Sequence, residues 1–541
     1  MGRFLKVLVA SFVAVSLAAA TAQAPTDVSM TQEEMDRAFD IYFNLCSGCH
    51  GPTREGATGP AVTAETLAAK GLPYIQAVLF AGLPGGMPDW GRQGLLDQDE
   101  MELMAKYLLN EVPEPPMLSF QEIYDSWNLI VPVAERPTAP QTARNWENYF
   151  GVILRDAGQV AIIDGDTKDL VALLDTGYAI HILRASRDGR YFQAVGRDGK
   201  ASLIDLWTEV PQVVAEARPC LDARSIESSK MEGYVNDYVI EGCYWPPHFA
   251  IMDGLTLEPL KVVSTVAYEK SVGERVDAAR VAAIVASEYN PEWIVNVKEA
   301  GQTWLVDYSQ LDREGRPLGV TMFDTELYLH DGGWAQGRYF IVAANNENKL
   351  VVLDTLEREV AAVIDVGIRP HPGRGANWVD PEFGPVWATG NLGSTEITVV
   401  GADPTSHPDH AWQVVRQLQT PFTGNLFIKT HEASPWLIAD FTMSVVPVGQ
   451  VTLCAWRKED MSERTCWEVD GAAEQSARMV HTEFNMAGTE FWVSAWAPMD
   501  KQSFIVVYDA QTLEEIHRIE SEWLITPTGK FNVHNTSHDV Y

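Results

Sequence analysis

The rhythm of hydrophobic and polar positions changes several times along the chain. Val7 to Ala20 is an apolar run behind Arg3 and Lys6. From Thr31 to Leu45, TQEEMDRAFDIYFNL spaces its apolar residues as a helix does. Its Thr-x-x-Glu start is a capping box, which predicts a helix whose last turn delivers Cys46. A second helical stretch, DQDEMELMAKYLL, ends near Asn110, and Val112-Pro113-Glu114-Pro115-Pro116 then reads as a linker or domain edge. Beyond about residue 150 the texture becomes short β-branched and aromatic runs broken by Gly, Asp and Asn.

Those runs repeat. Each copy is an apolar strand ending in a small or acidic residue, a turn, and a second strand. The copies are GQVAIID at Asp164, GKASLID at Asp205, FAIMD at Asp253, QTWLVD at Asp307 and KLVVLD at Asp354. TEITVVG at Gly401, QVTLCAW near Ala455 and SFIVVYD at Asp509 follow, with spacings of 41, 48, 54, 47, 47, 54 and 54 residues. Such periods fit the four-stranded blades of a propeller, which bury their faces only by stacking around a channel. The expected fold is therefore multidomain: a small all-α domain followed by an all-β eight-bladed β-propeller. A sandwich would not keep this period so long. The region from Phe441 to Arg478 is the poorest match, which makes blade seven the least regular.

Charge and the N-terminus set the class. With 40 basic against 74 acidic residues the net charge is −34, which excludes a nucleic-acid binder. An acidic body suits docking of a basic partner protein and repels small anions at long range. The N-terminal layout is that of a secretory signal peptide. Ala20-Thr21-Ala22 is the preferred cleavage site over Ala22-Gln23-Ala24, because cleavage at the latter leaves Pro25 first. The run falls short of the ~20 residues a span needs, and no later stretch is apolar enough. The expectation is a mature chain from Gln23, soluble in the periplasm, with no membrane span.

Cys46-Ser47-Gly48-Cys49-His50 carries the most specific chemistry. Two cysteines two residues apart, followed at once by His, form an attachment site for haem c. Both thiols can make thioethers while His50 ligates the iron. A thioredoxin-like pair would sit in a βαβ context, whereas this motif follows a helix. Met87, in Gly85-Gly86-Met87-Pro88-Asp89-Trp90, is the expected sixth ligand, since a thioether raises haem potential for electron transfer. Met101 and Met104 lie on an amphipathic helix and read as core.

From Cys46 onward the chain resembles the dissimilatory cytochrome cd1 nitrite reductases. CSGCHG, GMPDWG, LRDAGQVAIIDG, LDTGYAIHILR, GRDGK, EARPCLDARSIESSKMEGY, YWPPHFAIMDGLTLEP, LHDGG, HPGRGANW, FGPVWAT, FIKTH and TPTGKFNV carry the likeness, in order. The resemblance implies a signal peptide over 1–22, a class I cytochrome c domain over 23–115 and a propeller over 116–541 that holds haem d1. It implies haem c attached covalently through Cys46 and Cys49, with His50 and Met87 as iron ligands and Trp90 in its site, and noncovalent haem d1 with His181 as proximal ligand. His330 and His371 become the two distal histidines. Arg155, Arg184, Arg197, Arg224, Tyr244, Arg374 and Thr528 become contacts to haem d1, whose carboxylates suit Arg forks.

The implied reaction is nitrite plus one electron and two protons giving nitric oxide and water, with room for side activity on oxygen or hydroxylamine. Two histidines can stabilise bound nitrite and deliver protons. The implied partners are a small soluble cytochrome c or cupredoxin as electron donor, and a second copy in a homodimer. Two alternatives stay open: a haem d1 maturation protein (dehydrogenase or carrier), and a non-catalytic electron-transfer cytochrome.

Departures from the family pattern add expectations. No Tyr or His lies between Gln23 and Ile41, which favours Met87 and leaves the lid over haem d1 undefined. His481 stands where Gln is expected, and reads as a hydrogen-bonding partner to a carboxylate rather than a third proton donor. Cys220–Cys243 and Cys454–Cys466 each lie on what should be neighbouring strands, and buried free thiols are the preferred reading over disulfides. His248, His407, His410, His431, His517, His534 and His538 read as structural.

Overall fold

The computed structural model describes residues 28–540, apart from 57–58, 84–86, 93, 270 and 312–317. The signal-peptide segment, and with it the choice of cleavage site, lies outside the described residues. Thr31 caps the first helix, Gln32–Ile41, and the reciprocal Glu34 bond completes the capping box. One wider turn, Tyr42–Cys46, then leads into the short helix Ser47–His50. Asp97 and Glu100 form the same box at the head of Gln98–Leu108. The two capped helices and Gly71–Ala81 pack around Tyr42, Leu79, Met104 and Tyr107. The Pro-rich stretch forms no helix or strand, and the Trp245 indole donates to the Pro116 carbonyl at 2.6 Å.

Eight antiparallel sheets follow, each with four strands in the ring. Blade one covers 149–175 and closes the ring by pairing Tyr149–Leu154 with the C-terminal strand Pro527–Asn532. Blades two to eight cover 182–217, 222–264, 281–324, 329–365, 370–419, 428–468 and 478–520. Blade two gains a fifth, outermost strand, Asn128–Leu129. All eight sequence repeats fall on the third strand from the axis, from Gln159–Asp164 to Phe504–Asp509. Their terminal aspartates have a local cause. The side chains of Asp164, Asp253, Asp354 and Asp509 each accept from two backbone N–H groups of the following turn. An Asx turn of this kind closes each hairpin to the outer strand. The core fills the spaces between blades: Tyr149, Ile162 and Leu183 pack between blades one and two, for example.

The thiols depart from expectation. Cys220–Cys243 and Cys454–Cys466 are both disulfides, with Cα atoms 5.4 and 4.1 Å apart. Cys454 and Cys466 are direct cross-strand partners in blade seven, so their side chains leave the same face. Cys243 pairs with Ala223, three residues beyond Cys220, across a register shift that draws the thiols together. Replacing Cys220 and Cys243 by Ala together should lower stability by about 2–4 kcal/mol. Denaturant unfolding of parent and double variant under oxidising conditions measures this, and equal midpoints would show that the crosslink adds nothing.

Candidate functional site

The cysteine motif sits where the first helix ends. Cys46 is buried, Cys49 is exposed, and neither is in a disulfide. Nδ1 of His50 lies 2.7 Å from the Pro60 carbonyl. A carbonyl only accepts, so Nδ1 carries the proton and Nε2 keeps a lone pair suited to iron. Met87 is half-buried against the same core as Trp90, and its carbonyl accepts from Leu83 at 3.1 Å. Met104 is fully buried core, as its helix position required. Gly85 and Gly86 lie outside the described residues. Arg54 was not foreseen. It is fully buried over the Tyr107 ring at 3.8 Å, with Nε and Nη2 lacking a hydrogen-bond partner, which suits a carboxylate-bearing cofactor.

The second site is the channel at the propeller axis, a cavity of about 290 Å³. It is lined by Arg155, His181, Arg184, Arg224, Tyr244, His330, His371, Arg374, His481 and Thr528, ten of the residues singled out from the sequence. Bulges in innermost strands bring His330, Arg374 and His481 there. In blades four, five and eight, three steps along the inner strand face two on its neighbour, between Val281 and Ile284, Leu329 and Gly332, and Val480 and Glu483. Blade six bulges furthest, between His371 and Ala376. There Gly373 and Gly375 hold φ of 60° and 74°, and a Cβ at Gly375 would strike the Trp387 indole. Bulged residues leave the ladder and turn into the channel.

His330 and His371 meet over one carboxylate. Their ring centroids are 5.1 Å apart. Asp331 lies 3.0 Å from Nδ1 of His330 through Oδ1, and 3.1 Å from Nε2 of His371 through Oδ2. Both are ion-pair contacts; the first falls outside hydrogen-bond geometry. Burial pushes His330 down to about 3, more than Asp331 raises it, so the ring is neutral near pH 7. Burial also opposes charge on Asp331, but the imidazoles and Arg224 outweigh it and hold the carboxyl far below its usual range.

On the facing side, Nε2 of His181 accepts from Arg224 Nε at 3.1 Å and Nη2 at 2.9 Å. A nitrogen that accepts carries no proton, and burial with Arg224 and Arg197 nearby holds His181 neutral. Its lone pair therefore suits a metal. Burial raises Tyr244, yet Arg224, Lys298, Arg280 and Arg197 together pull its phenol below the usual value. Arg184 is 2% exposed, and its Nε and Nη2 have no hydrogen-bond partner; Glu227 stands 3.5 Å from Nε. This excess of buried cations fits a polyanionic ligand such as haem d1. Arg197 is the exception among the expected contacts: both its forks bind Asp222 at 2.7 Å, and it touches the site only over the Tyr244 ring.

The backbone N–H of His481, not its ring, bonds the Asp440 carboxylate at 3.0 Å, because φ of 55° turns the amide inward. Its Nδ1 accepts from the Lys530 amide at 3.2 Å, so Nε2 carries the proton. Burial and Lys530 hold it neutral. Asp331, Arg280, Lys298, Lys429 and Glu483 were missed. Asp331 and Lys429 lie inside the motifs LHDGG and FIKTH, whereas Arg280 and Lys298 carry no local signal. Of the seven histidines read as structural, none lines the channel. Cys46 lies near enough to Tyr178, and Cys49 to Arg197, to act on their ionisation, and both of these residues sit on loops of the propeller.

A helical domain with a haem-attachment motif, joined to a propeller with a cation-lined axial cavity, defines a two-haem protein of cytochrome c and cytochrome d1 type. Residues 144–536 match the cytochrome D1 heme domain family, and residues 33–108 match cytochrome C oxidase, cbb3-type, subunit III. The chain belongs to the cytochrome cd1 nitrite reductase family. It is 42% identical to a nitrite reductase of Stutzerimonas stutzeri over 99% of this chain and 98% of that one. A dihydro-heme d1 dehydrogenase of Pseudomonas aeruginosa is 26% identical over 92% and 93%. A solved dihydro-heme d1 dehydrogenase aligns with TM-score 0.70 and 25% identity, covering 92% of this chain and 99% of that chain. Among the described residues, no helix is long and apolar enough to cross a membrane.

Proposed function

We propose that this protein is an exported, periplasmic nitrite reductase that forms nitric oxide: nitrite, one electron and two protons give nitric oxide and water. The observation that carries the reading is the pair His330 and His371 joined through Asp331 in a channel rich in buried cations. Haem d1, when bound, supplies the iron that takes nitrite and passes it an electron. The chain does the rest. His181 offers an unprotonated Nε2 as proximal ligand, once Arg224 turns to a haem carboxylate. Arg155, Arg184, Arg374, Tyr244 and Thr528 orient the macrocycle, and His481 donates through Nε2 at its rim. His330 and His371 hold the anion and deliver protons to the departing oxygen. Buried cations locally offset the charge of −34 that repels nitrite from the body.

Residues 23–115 form the electron-receiving domain and 116–541 the catalytic one, after removal of 1–22. Cys46 and Cys49 would attach haem c covalently, with His50 and Met87 offering ligands to its iron, and haem d1 would be held noncovalently. A basic cytochrome c or cupredoxin supplies electrons, and the chain works as a homodimer. Anaerobic nitrite consumption with nitric oxide release by the purified two-haem protein tests this reading. Oxidation of dihydro-haem d1 without nitrite turnover would favour the dehydrogenase reading, which the likeness to the solved dehydrogenase keeps in view.

The axial assignment has its own test. Met87→His should lower the haem c potential, because imidazole donates more strongly than thioether, and should slow reduction by the donor. A spectroscopic redox titration measures it. An unchanged potential would remove Met87 from the ligand set.

A further inference from the structure

Among the described residues, the Asp331 carboxylate touches both His330 and His371, and its neighbours constrain where protons can be. Nδ1 of His371 lies 2.8 Å from the Leu426 carbonyl, which only accepts, so that nitrogen bears a proton. Nε2 of the same ring stands 3.1 Å from Oδ2 of Asp331. In a neutral ring this nitrogen would turn a lone pair toward a carboxylate oxygen, and the two would repel. A proton between them removes the repulsion. His330 behaves differently. Buried at 6% exposure and neutral, it stands 3.0 Å from Oδ1 through Nδ1, outside hydrogen-bond geometry.

We infer that Asp331 is a positioning residue that binds His330 and His371 into one unit, with a reducing-step proton stored between Asp331 and His371. The inference rests on the proposed nitrite reduction and deepens it. The two rings come from separate blades, His330 from within a bulge and His371 from the paired position where one begins, so no shared backbone fixes their spacing. The bridging carboxylate does. The charged and titratable groups facing the unit are Arg224 and Lys298, which act on Asp331 and His330, with His181 across the channel. Arg374 lies beside it, donating to the Gly332 carbonyl at 3.2 Å. These surroundings are cationic and favour proton release toward bound nitrite. One proton of the two consumed per nitric oxide leaves this unit, joins the departing oxygen as water forms, and is replaced from solvent.

The sign of the pH effect follows. The stored-proton form is present at low pH and is lost as pH rises, so turnover falls on the basic side. Removing the negative charge of Asp331 makes the proton leave at lower pH. In Asp331→Asn, the basic limb of the nitrite-turnover profile should move down by about 1–3 units. At pH 7, kcat should fall about 10–100-fold, with a smaller change in KM, as for other residues that orient a reacting group. Ring ¹⁵N spectra of the purified full chain, labelled at histidine and assigned with His371→Ala and His330→Ala, provide a readout independent of turnover. The His371 signals should change at lower pH in Asp331→Asn, and Asp331→Glu should recover part of both effects. If Asp331→Asn loses haem d1, the same spectra of Asp331→Glu decide, since a longer carboxylate must still shift the midpoint relative to the parent. Unchanged histidine midpoints would overturn the inference. A parent that makes no nitric oxide, with histidine midpoints still responding to Asp331, would instead overturn the nitrite reading and leave the proton unit standing.

Discussion

His330→Ala and His371→Ala should each lose about 10²-fold or more of nitrite turnover while retaining haem d1, the loss typical of removing a general acid. The geometry says why the losses need not be equal. His330 is buried and neutral, whereas His371 is fixed by the Leu426 carbonyl and faces the ionised carboxylate. Removing His371 takes away the ring paired with the stored proton; removing His330 takes away the neutral donor–acceptor that positions the anion. The double variant should fall by less than the product of the single losses, because groups acting as one unit lose their joint effect on the first removal. Stopped-flow reduction of haem c should be unaffected, since neither ring lies in the helical domain. Parental turnover in both single variants, with haem d1 in place, would sink the mechanism and strengthen the dehydrogenase reading.

What the chain announced in its order of residues, and what it hid, divide along a physical line. The third strand of most blades was legible because its last residue has a local duty: the side chain of Asp354, for example, caps the turn that follows it. Capping boxes at Thr31 and Asp97 were legible for the same reason. Bulges were not, since a bulge is a mismatch between two strands and neither strand alone contains it. Asp331 therefore passed as one letter of LHDGG, although its bridge to His371 spans two blades. Arg197 shows the converse. Its motif placed it at the channel, but the neighbouring Asp222 takes both of its forks. The disulfides were hidden in register too: Cys454 faces Cys466 only because their strands pair without offset there. Local chemistry could be read directly, whereas pairings across blades required the closed ring.

The other large effect is expected at His181. In His181→Ala the cofactor loses its proximal ligand, and turnover should fall at least as far as it does when a metal ligand's supporting partner is removed, about 10–100-fold. The fold should not follow. The backbone N–H of residue 181 bonds the Val195 carbonyl, a contact any residue can make. Ile180 and Leu183, at 1% and 0% exposure, anchor the segment in the core between blades one and two. The ring itself contacts Arg224, whose guanidinium then loses its imidazole acceptor and becomes free for a haem carboxylate. Retention and reactivity can therefore separate: the Arg groups would still hold the macrocycle, while residue 181 would no longer offer its iron a nitrogen. Solvent extraction measures how much haem d1 remains, and thermal unfolding followed by far-UV circular dichroism should match the parent closely. Added imidazole, small enough to enter the space left by the side chain, should restore part of the turnover in the variant and none in the parent. A variant with full haem d1 content, unaltered haem d1 spectra and parental turnover would show that iron takes its ligand from elsewhere in the channel, and His481, neutral with its Nε2–H directed away from the Lys530 amide, would then be the next residue to replace.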